Sequence, residues 1–289
     1  MIKPFNLCDN VKYFELSLLS ALTWLANSDL PFTVYYFGQY EAIPALEAQC
    51  QAYGPRFSVV CKPRSAINLN LSATRWPPVV FERFALMNEI GAGALYVDSD
   101  IFLLNRMLPK AVARLEVLAA GQGVFAATDM TPRERIAHDA GLALHMRSTL
   151  EYYCSGILLM AGGQVDCSRI YTAASLWQAK TGRALAWPDQ DAMNIANARQ
   201  SFITKLEVTD LAYWDPRKVY AAAKKFPAFQ KTPKARTAVE QWLAMAKAAT
   251  TRLPTGTAFH VYGEKHEAYM TAIRAFCSQI LATAVSASP

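Results

Sequence analysis

Apolar residues along this chain fall into short runs of strand formers separated by longer amphipathic stretches. Phe5-Asn6-Leu7-Cys8 reads as a first strand, ended by Asp9-Asn10. Phe14, Leu16, Leu18, Leu19, Leu22 and Leu25 then recur at three- and four-residue steps, the period of a helix, until Asn27-Ser28-Asp29 breaks it. Residues 32–37 read as a second strand, 43–53 as a helix and 57–61 as a third strand. Residues 68–78 carry little periodicity and read as a loop, and 79–90 suit a helix that feeds a central strand. Beyond it, 107–118 read as helix and 123–128 as strand. The polar stretch 130–149 reads as an insertion covering a site rather than as core. A buried strand over 152–160, helices over 170–180 and from Pro188, a strand over 202–208, a short strand over 258–263 and a last helix over 264–282 complete the pattern. Strands alternating with helices predict an α/β fold with a mostly parallel central sheet and helices on both faces.

In such sheets ligands collect at the carboxyl ends of the strands. The central run Ala94-Leu95-Tyr96-Val97 ends there in Asp98-Ser99-Asp100, and apolar residues resume at once. Residues i and i+2 of a strand face one side, so the two carboxylates could converge on one hard cation, of the kind usually shared with a diphosphate. The competing reading is a solvated turn after a strand. Asp9 and Asn10 also follow a strand and belong at the same edge. Arg83 lies among Phe81, Phe84, Leu86 and Met87, where it either is solvated or points to the site and pairs with phosphate or ribose. Ser155-Gly156 permits close approach of a ligand to the backbone, or marks a bulge. Asp189 and Asp191 follow Pro188, which is also ordinary chemistry for the first turn of a helix.

Composition narrows the class. With 53% hydrophobic and 18% charged residues, the chain can build a large core. Its six cysteines form no CxxC pair, which argues against a zinc site or a disulfide scaffold and for reduced thiols in a cytosolic protein. The start reaches Asp9 too soon for a secretory signal, and no apolar run has membrane-spanning length. The net charge of +6 is local: residues 217–252 hold nine Lys or Arg against Glu240 alone, leaving the rest of the chain slightly acidic. That excludes general nucleic-acid binding. In the basic stretch, Phe226 and Phe229 stand beside Lys224, Lys225 and Lys231. It reads either as a solvated helical face or as a segment touching an anionic membrane peripherally.

Four blocks line up in order: Leu95-Tyr96-Val97-Asp98-Ser99-Asp100, Tyr153-Cys154-Ser155-Gly156-Ile157-Leu158-Leu159, Asp189-Gln190-Asp191-Ala192-Met193-Asn194 and His260-Val261-Tyr262-Gly263. Together they resemble glycosyltransferase family 8, which includes glycogenin and bacterial lipopolysaccharide galactosyltransferases and glucosyltransferases. The match runs from residue 5 to about residue 270. The resemblance implies a GT-A fold, a sugar-nucleotide donor, Mn²⁺ or Mg²⁺, and retention of anomeric configuration. It implies metal ligation by Asp98, Asp100 and His260. It places Asp9, Asn10, Tyr13, Arg83, Asp98, Ser99, Cys154, Ser155, Gly156, Gly263, Lys265 and His266 around the nucleotide sugar. Asp189, Gln190 and Asp191 fall at the donor sugar as the catalytic group. Three positions depart: Cys8 stands where the family carries an acid, Cys154 where it carries Asn, and His266 where it carries Lys.

The resulting expectation is a GT-A catalytic domain over 1–215, with a basic helical part over 216–289 that returns to the site through the strand around His260. Its activity would be hexose transfer from a UDP-sugar, UDP-glucose or UDP-galactose, to a glycan or lipid-linked glycan. The expected place is the cytoplasm or the inner membrane face, in lipopolysaccharide biosynthesis. Two other classes remain open: a metal-dependent nucleotidyltransferase, and a non-catalytic nucleotide-binding protein on a decayed transferase scaffold.

Overall fold

Strand β1 (Lys3–Cys8) lies inside the larger sheet, with β2 (Phe32–Phe37) and β4 (Ala94–Val97), the central strand, parallel on either side of it. In the computed structural model, which describes residues 1–67, 69, 77–130, 135–136, 139–143, 151–207, 211–214, 256–261 and 267–286, this sheet has seven strands. Beyond β2 lies β3 (Phe57–Lys62). Beyond β4 come β7 (Tyr152–Met160), β6 (Val124–Met130) and β8 (Ile203–Lys205). Only β7 runs against its two neighbours; the other pairings are parallel. The expected mostly parallel sheet is therefore present.

Side chains alternate across it, and each face has its own core. Phe5, Leu7, Tyr96 and Leu158 pack with α3 (Glu82–Ile90), α5 (Cys167–Thr181) and α6 (Pro188–Gln200). Val34, Leu95, Val97, Ile157 and Leu159 pack with α1 (Val11–Asn27) and α4 (Pro109–Ala119). The remaining described helices are α2 (Pro44–Gln51), beside α1, and α7 (Glu267–Ser286).

A second sheet of three strands holds β5 (Ile101–Leu103), β10 (Thr257–His260) and β9 (Ala212–Trp214), in the order β5-β10-β9. The backbone thus leaves the large sheet at Val97 and enters the small one at Ile101. Helix α7 covers the small sheet through Phe276, which lies edge-on to Phe102 and Phe259 at 6.4 Å from each.

Several expectations needed adjustment. The helix expected from residue 79 opens as a tight 3₁₀ turn, Pro78–Phe81, before the regular helix begins at Glu82. The strand over 202–208 is confined to Ile203–Lys205. Strand β9 was not foreseen; three residues give no periodicity to read. The stretch 130–149 is not only cover, since Arg135 and Leu142 are fully buried. None of the six cysteines is joined in a disulfide. Among the described residues no helix is long and apolar enough to cross a membrane. The basic stretch 217–252, Gly263, Lys265 and His266 lie outside the described residues, as does most of the proposed C-terminal part.

Candidate active site at the join of the two sheets

Asp98, Ser99 and Asp100 form the turn between the sheets. The Asp98 N–H donates to the Gly156 carbonyl at 2.7 Å, extending the β4–β7 pairing by one step, and the Ile101 N–H closes the turn on the Asp98 carbonyl at 3.0 Å. The carboxylates converge through this turn, not through the i,i+2 geometry of a single strand. His260 arrives from β10, whose register sets it opposite Ile101, and the Val261 N–H donates to the Asp100 carbonyl at 2.9 Å. The His260 Nε2 stands 3.1 Å from Asp100 Oδ1 and 4.0 Å from Asp98 Oδ2. One donor atom from each of the three residues fits within 4.8 Å of the other two.

Two carboxylates and an imidazole at this spacing suit Mn²⁺ or Mg²⁺, and the cluster needs positive charge. Burial works against a charged imidazole at His260, yet Asp100 outweighs it and lifts the His260 pKa to about 10. Gly156 makes the close approach possible: a Cβ there would lie 2.7 Å from Asp98 Oδ2, 3.2 Å from His260 Cε1 and 3.3 Å from Cys154 Sγ. What Gly156 admits within the fold is thus the Asp98 carboxylate itself. Gly156→Ala should weaken Mn²⁺ binding about 10–100-fold, the usual effect of disturbing a metal ligand's support. A calorimetric titration reads this, and unchanged affinity would show that Asp98 can shift freely.

Arg83 is buried, not solvated. Its Nη1 lies 3.2 Å from both Asp98 Oδ1 and Asp189 Oδ2 and donates to the Ser155 carbonyl at 2.7 Å, while its Nε donates to the Val80 carbonyl at 2.7 Å. The guanidinium also lies 4.3 Å from the Tyr96 ring centre, and the Tyr96 hydroxyl donates to Asp98 Oδ1 at 2.5 Å. Burial opposes the Arg83 charge, but Asp189, Tyr96 and Asp98 hold its pKa above the ordinary arginine range. Burial raises the Asp189 pKa and Arg83 pulls the other way. The Ser155 side chain also hydrogen-bonds to this carboxylate and pulls its pKa the same way as Arg83.

Helix α6 brings Asp189, Gln190 and Asp191 to this edge in its first turn. Gln190 Oε1 accepts from the Ser155 N–H at 3.0 Å. Asn194 clamps Tyr153, accepting from its N–H and donating to its carbonyl, both at 2.9 Å. Asp191 faces inward to Arg135 and Tyr152. At the end of β1, Asp9 is half-buried and accepts from the Asn10 side chain at 2.8 Å, and burial raises its pKa. Asn10 caps α1, accepting from the Tyr13 N–H at 3.1 Å. Cys154 is buried and accepts from the Gly156 N–H at 3.3 Å.

Sequence reading missed Tyr96, Tyr152 and Arg135. Tyr96 stands two residues before Asp98 on a strand, and that spacing could have flagged it. Tyr152 and Arg135 carry no local signal, because their partner Asp191 is 39 and 56 residues away.

No protein-family model matches the chain, and no curated protein sequence matches it. Solved structures do. A galactosyltransferase, LgtC, crystallised with donor and acceptor sugar analogues, aligns over 98% of this chain and 96% of its own at 16% identity, with a TM-score of 0.59. Mouse xyloside xylosyltransferase 1 aligns over 90% of this chain and 97% of its own at 11% identity, with a TM-score of 0.51. The bifunctional glycosyltransferase WbbM aligns over 96% of this chain and 49% of its own at 13% identity, with a TM-score of 0.53. The fold is that of the GT-A glycosyltransferases. At such identities the likeness is one of fold, and it does not single out family 8. The three donors, Asp98, Asp100 and His260, thus lie where the large sheet of a GT-A fold meets its small one.

Proposed function

We propose that this protein is a metal-dependent, retaining hexosyltransferase that moves a sugar from a UDP-sugar to a glycan or lipid-linked glycan. The observation that carries the reading is the convergence of Asp98, Asp100 and His260 at the strand edge onto which the first turn of α6 opens. A divalent cation held by those three side chains would neutralise the charge that develops on a departing diphosphate.

The remaining work falls to this chain's own groups. Arg83 fixes the Asp98 and Asp189 carboxylates in one arrangement, so neither must reorganise during the reaction. Asp189, buried against Arg83 at 3.2 Å, is assigned to the donor sugar beside Gln190. Gln190 presents a neutral amide dipole to the oxocarbenium-like carbon, and Ser155 N–H fixes its orientation. Asp9, Asn10 and Tyr13 at the end of β1 are assigned to the nucleotide, and Ser99, Cys154, Ser155 and Gly156 to the wall of the sugar site. Gly263, Lys265 and His266 are assigned to the nucleotide sugar, and the part over 216–289 is assigned to returning the chain to the site through the strand around His260. A family 8 origin and retention both rest on the four sequence blocks.

Calorimetry with UDP in the presence and absence of Mn²⁺, followed by hydrolysis assays over a panel of nucleotide sugars, tests the proposal. The expected result is UDP binding that requires the metal, and slow release of hexose from UDP-glucose or UDP-galactose. Metal-linked binding without turnover of any donor would favour a binding protein on a transferase scaffold. Absence of both would end the reading.

The basic stretch 217–252 suits an acceptor at an anionic surface, since each Lys or Arg near such a surface contributes about 1 kcal/mol. Flotation with liposomes should show binding that needs anionic lipid and fades with salt. Equal recovery with neutral liposomes would leave that stretch a solvated face.

A further inference from the structure

Asp191 stands beside Gln190 and would serve as a carboxylate at the sugar, but its lone pairs are all engaged. Its Oδ1 accepts from Arg135 Nε at 2.7 Å and from the Tyr152 hydroxyl at 2.7 Å. Its Oδ2 accepts from Arg135 Nη2 at 2.6 Å and from the Trp187 N–H at 3.2 Å. A carboxylate offers about four acceptor positions, and here four donors fill them. Both partners of the ion pair are sealed from solvent, at 1% and 0% side-chain exposure. The Arg135 guanidinium also stacks 4.5 Å from the ring centre of Trp187, the residue that precedes α6. Arg135 thus grips the start of this helix at two points: the carboxylate of Asp191 and the indole of Trp187.

We propose that Arg135 is a positioning residue for the transfer reaction. Through Asp191 it holds the first turn of α6, and with it Asp189 and Gln190, against the edge of β7. The start of the same helix is also held by Gln190 on Ser155 and, one turn on, by Asn194 on Tyr153. Two fastenings fix the turn in rotation as well as in distance. Gln190 is then held where its dipole acts, and Asp191 makes no bond to the sugar. The planar, forked guanidinium is what a bidentate grip requires, and a lysine can make only one of the two bonds. This role rests on the transferase reading above.

Arg135→Ala would leave Asp191 buried and uncompensated and put the fold at risk, so the test uses Arg135→Lys, Asp191→Asn and the double variant in the full chain. Donor hydrolysis, UDP affinity in Mn²⁺ and amide hydrogen exchange are measured on each. Each single variant should lower kcat about 10–100-fold, the scale of a small misplacement, with UDP affinity in Mn²⁺ near that of the unaltered protein. The double variant should be no slower than the worse single, because both act through one contact. Exchange should quicken at residues 187–193 and stay unchanged in β1 and β4.

Additive losses, or an Arg135→Lys protein with unaltered kcat, would overturn the proposal. So would a loss of about 10⁴ in Asp191→Asn that Arg135→Lys does not share, since Asp191 would then act directly. Donor hydrolysis missing from the unaltered protein would overturn the transferase reading and this role together. The exchange measurement separates that outcome from a failure of the Arg135 grip itself, which would show as unchanged protection in the variants.

Discussion

Asp100→Ala should reduce UDP affinity measured in Mn²⁺ to the value measured without metal, and donor turnover by about 10³-fold. The turnover figure follows from losing several kcal/mol of charge stabilisation at the diphosphate, at about 1.4 kcal/mol per factor of ten. The fold should survive, because the pairing at this position is made by the backbone: the Val261 N–H donates to the Asp100 carbonyl, not to its carboxylate. Melting should therefore stay close to that of the unaltered protein while the metal effect vanishes. Unchanged UDP affinity in Mn²⁺ would mean that the metal, if bound at all, is bound elsewhere.

Arg83→Met should have the largest effect on stability, a loss of about 3–5 kcal/mol, because it strands the carboxylates of Asp98 and Asp189 around a missing cation. Apolar volume is roughly kept, so the loss reports charge, not a cavity. Urea denaturation would show it as a lower midpoint with the slope unchanged. Adding Asp189→Asn to this variant should restore part of the loss, since one of the two stranded charges is then removed. A stability loss below about 1 kcal/mol, or no recovery in the double variant, would show that solvent reaches the pair after all.

Much of this site could be read from residue order, and the reason is geometric. Asp98 and Asp100 end an uninterrupted apolar strand, so the chain states both their chemistry and their place at the sheet edge. His260 and the Asp189–Asp191 group could be paired with them because the four blocks keep their order. The break between β4 and β5 was hidden, because Ile101, Phe102 and Leu103 continue the apolar run and differ only in which sheet they join. The role of Asp191 was hidden for a different reason. A helix-start aspartate looks the same whether it faces solvent, sugar or a distant arginine, and Arg135 sits in a polar stretch with no periodicity. On the role proposed for Arg135, burial of that one arginine makes Asp191 part of the scaffold and leaves Gln190 and Asp189 to face the donor sugar.

The pairing of β10 with β5 also bears on the order of events during synthesis. Two of the three side chains proposed to hold the metal leave the ribosome with the middle of the chain; the third lies 160 residues after Asp100 and reaches them only when the strand bearing it adds antiparallel to β5. At about 5–20 residues per second, a nascent chain spends several seconds with the large sheet's strands already made and the acidic pair incomplete. Through that interval Asp98 and Asp100 have neither the imidazole nor its proton to offset them. On the proposed metal site, the three-ligand set would therefore be complete only after the closing strand has docked, late in folding.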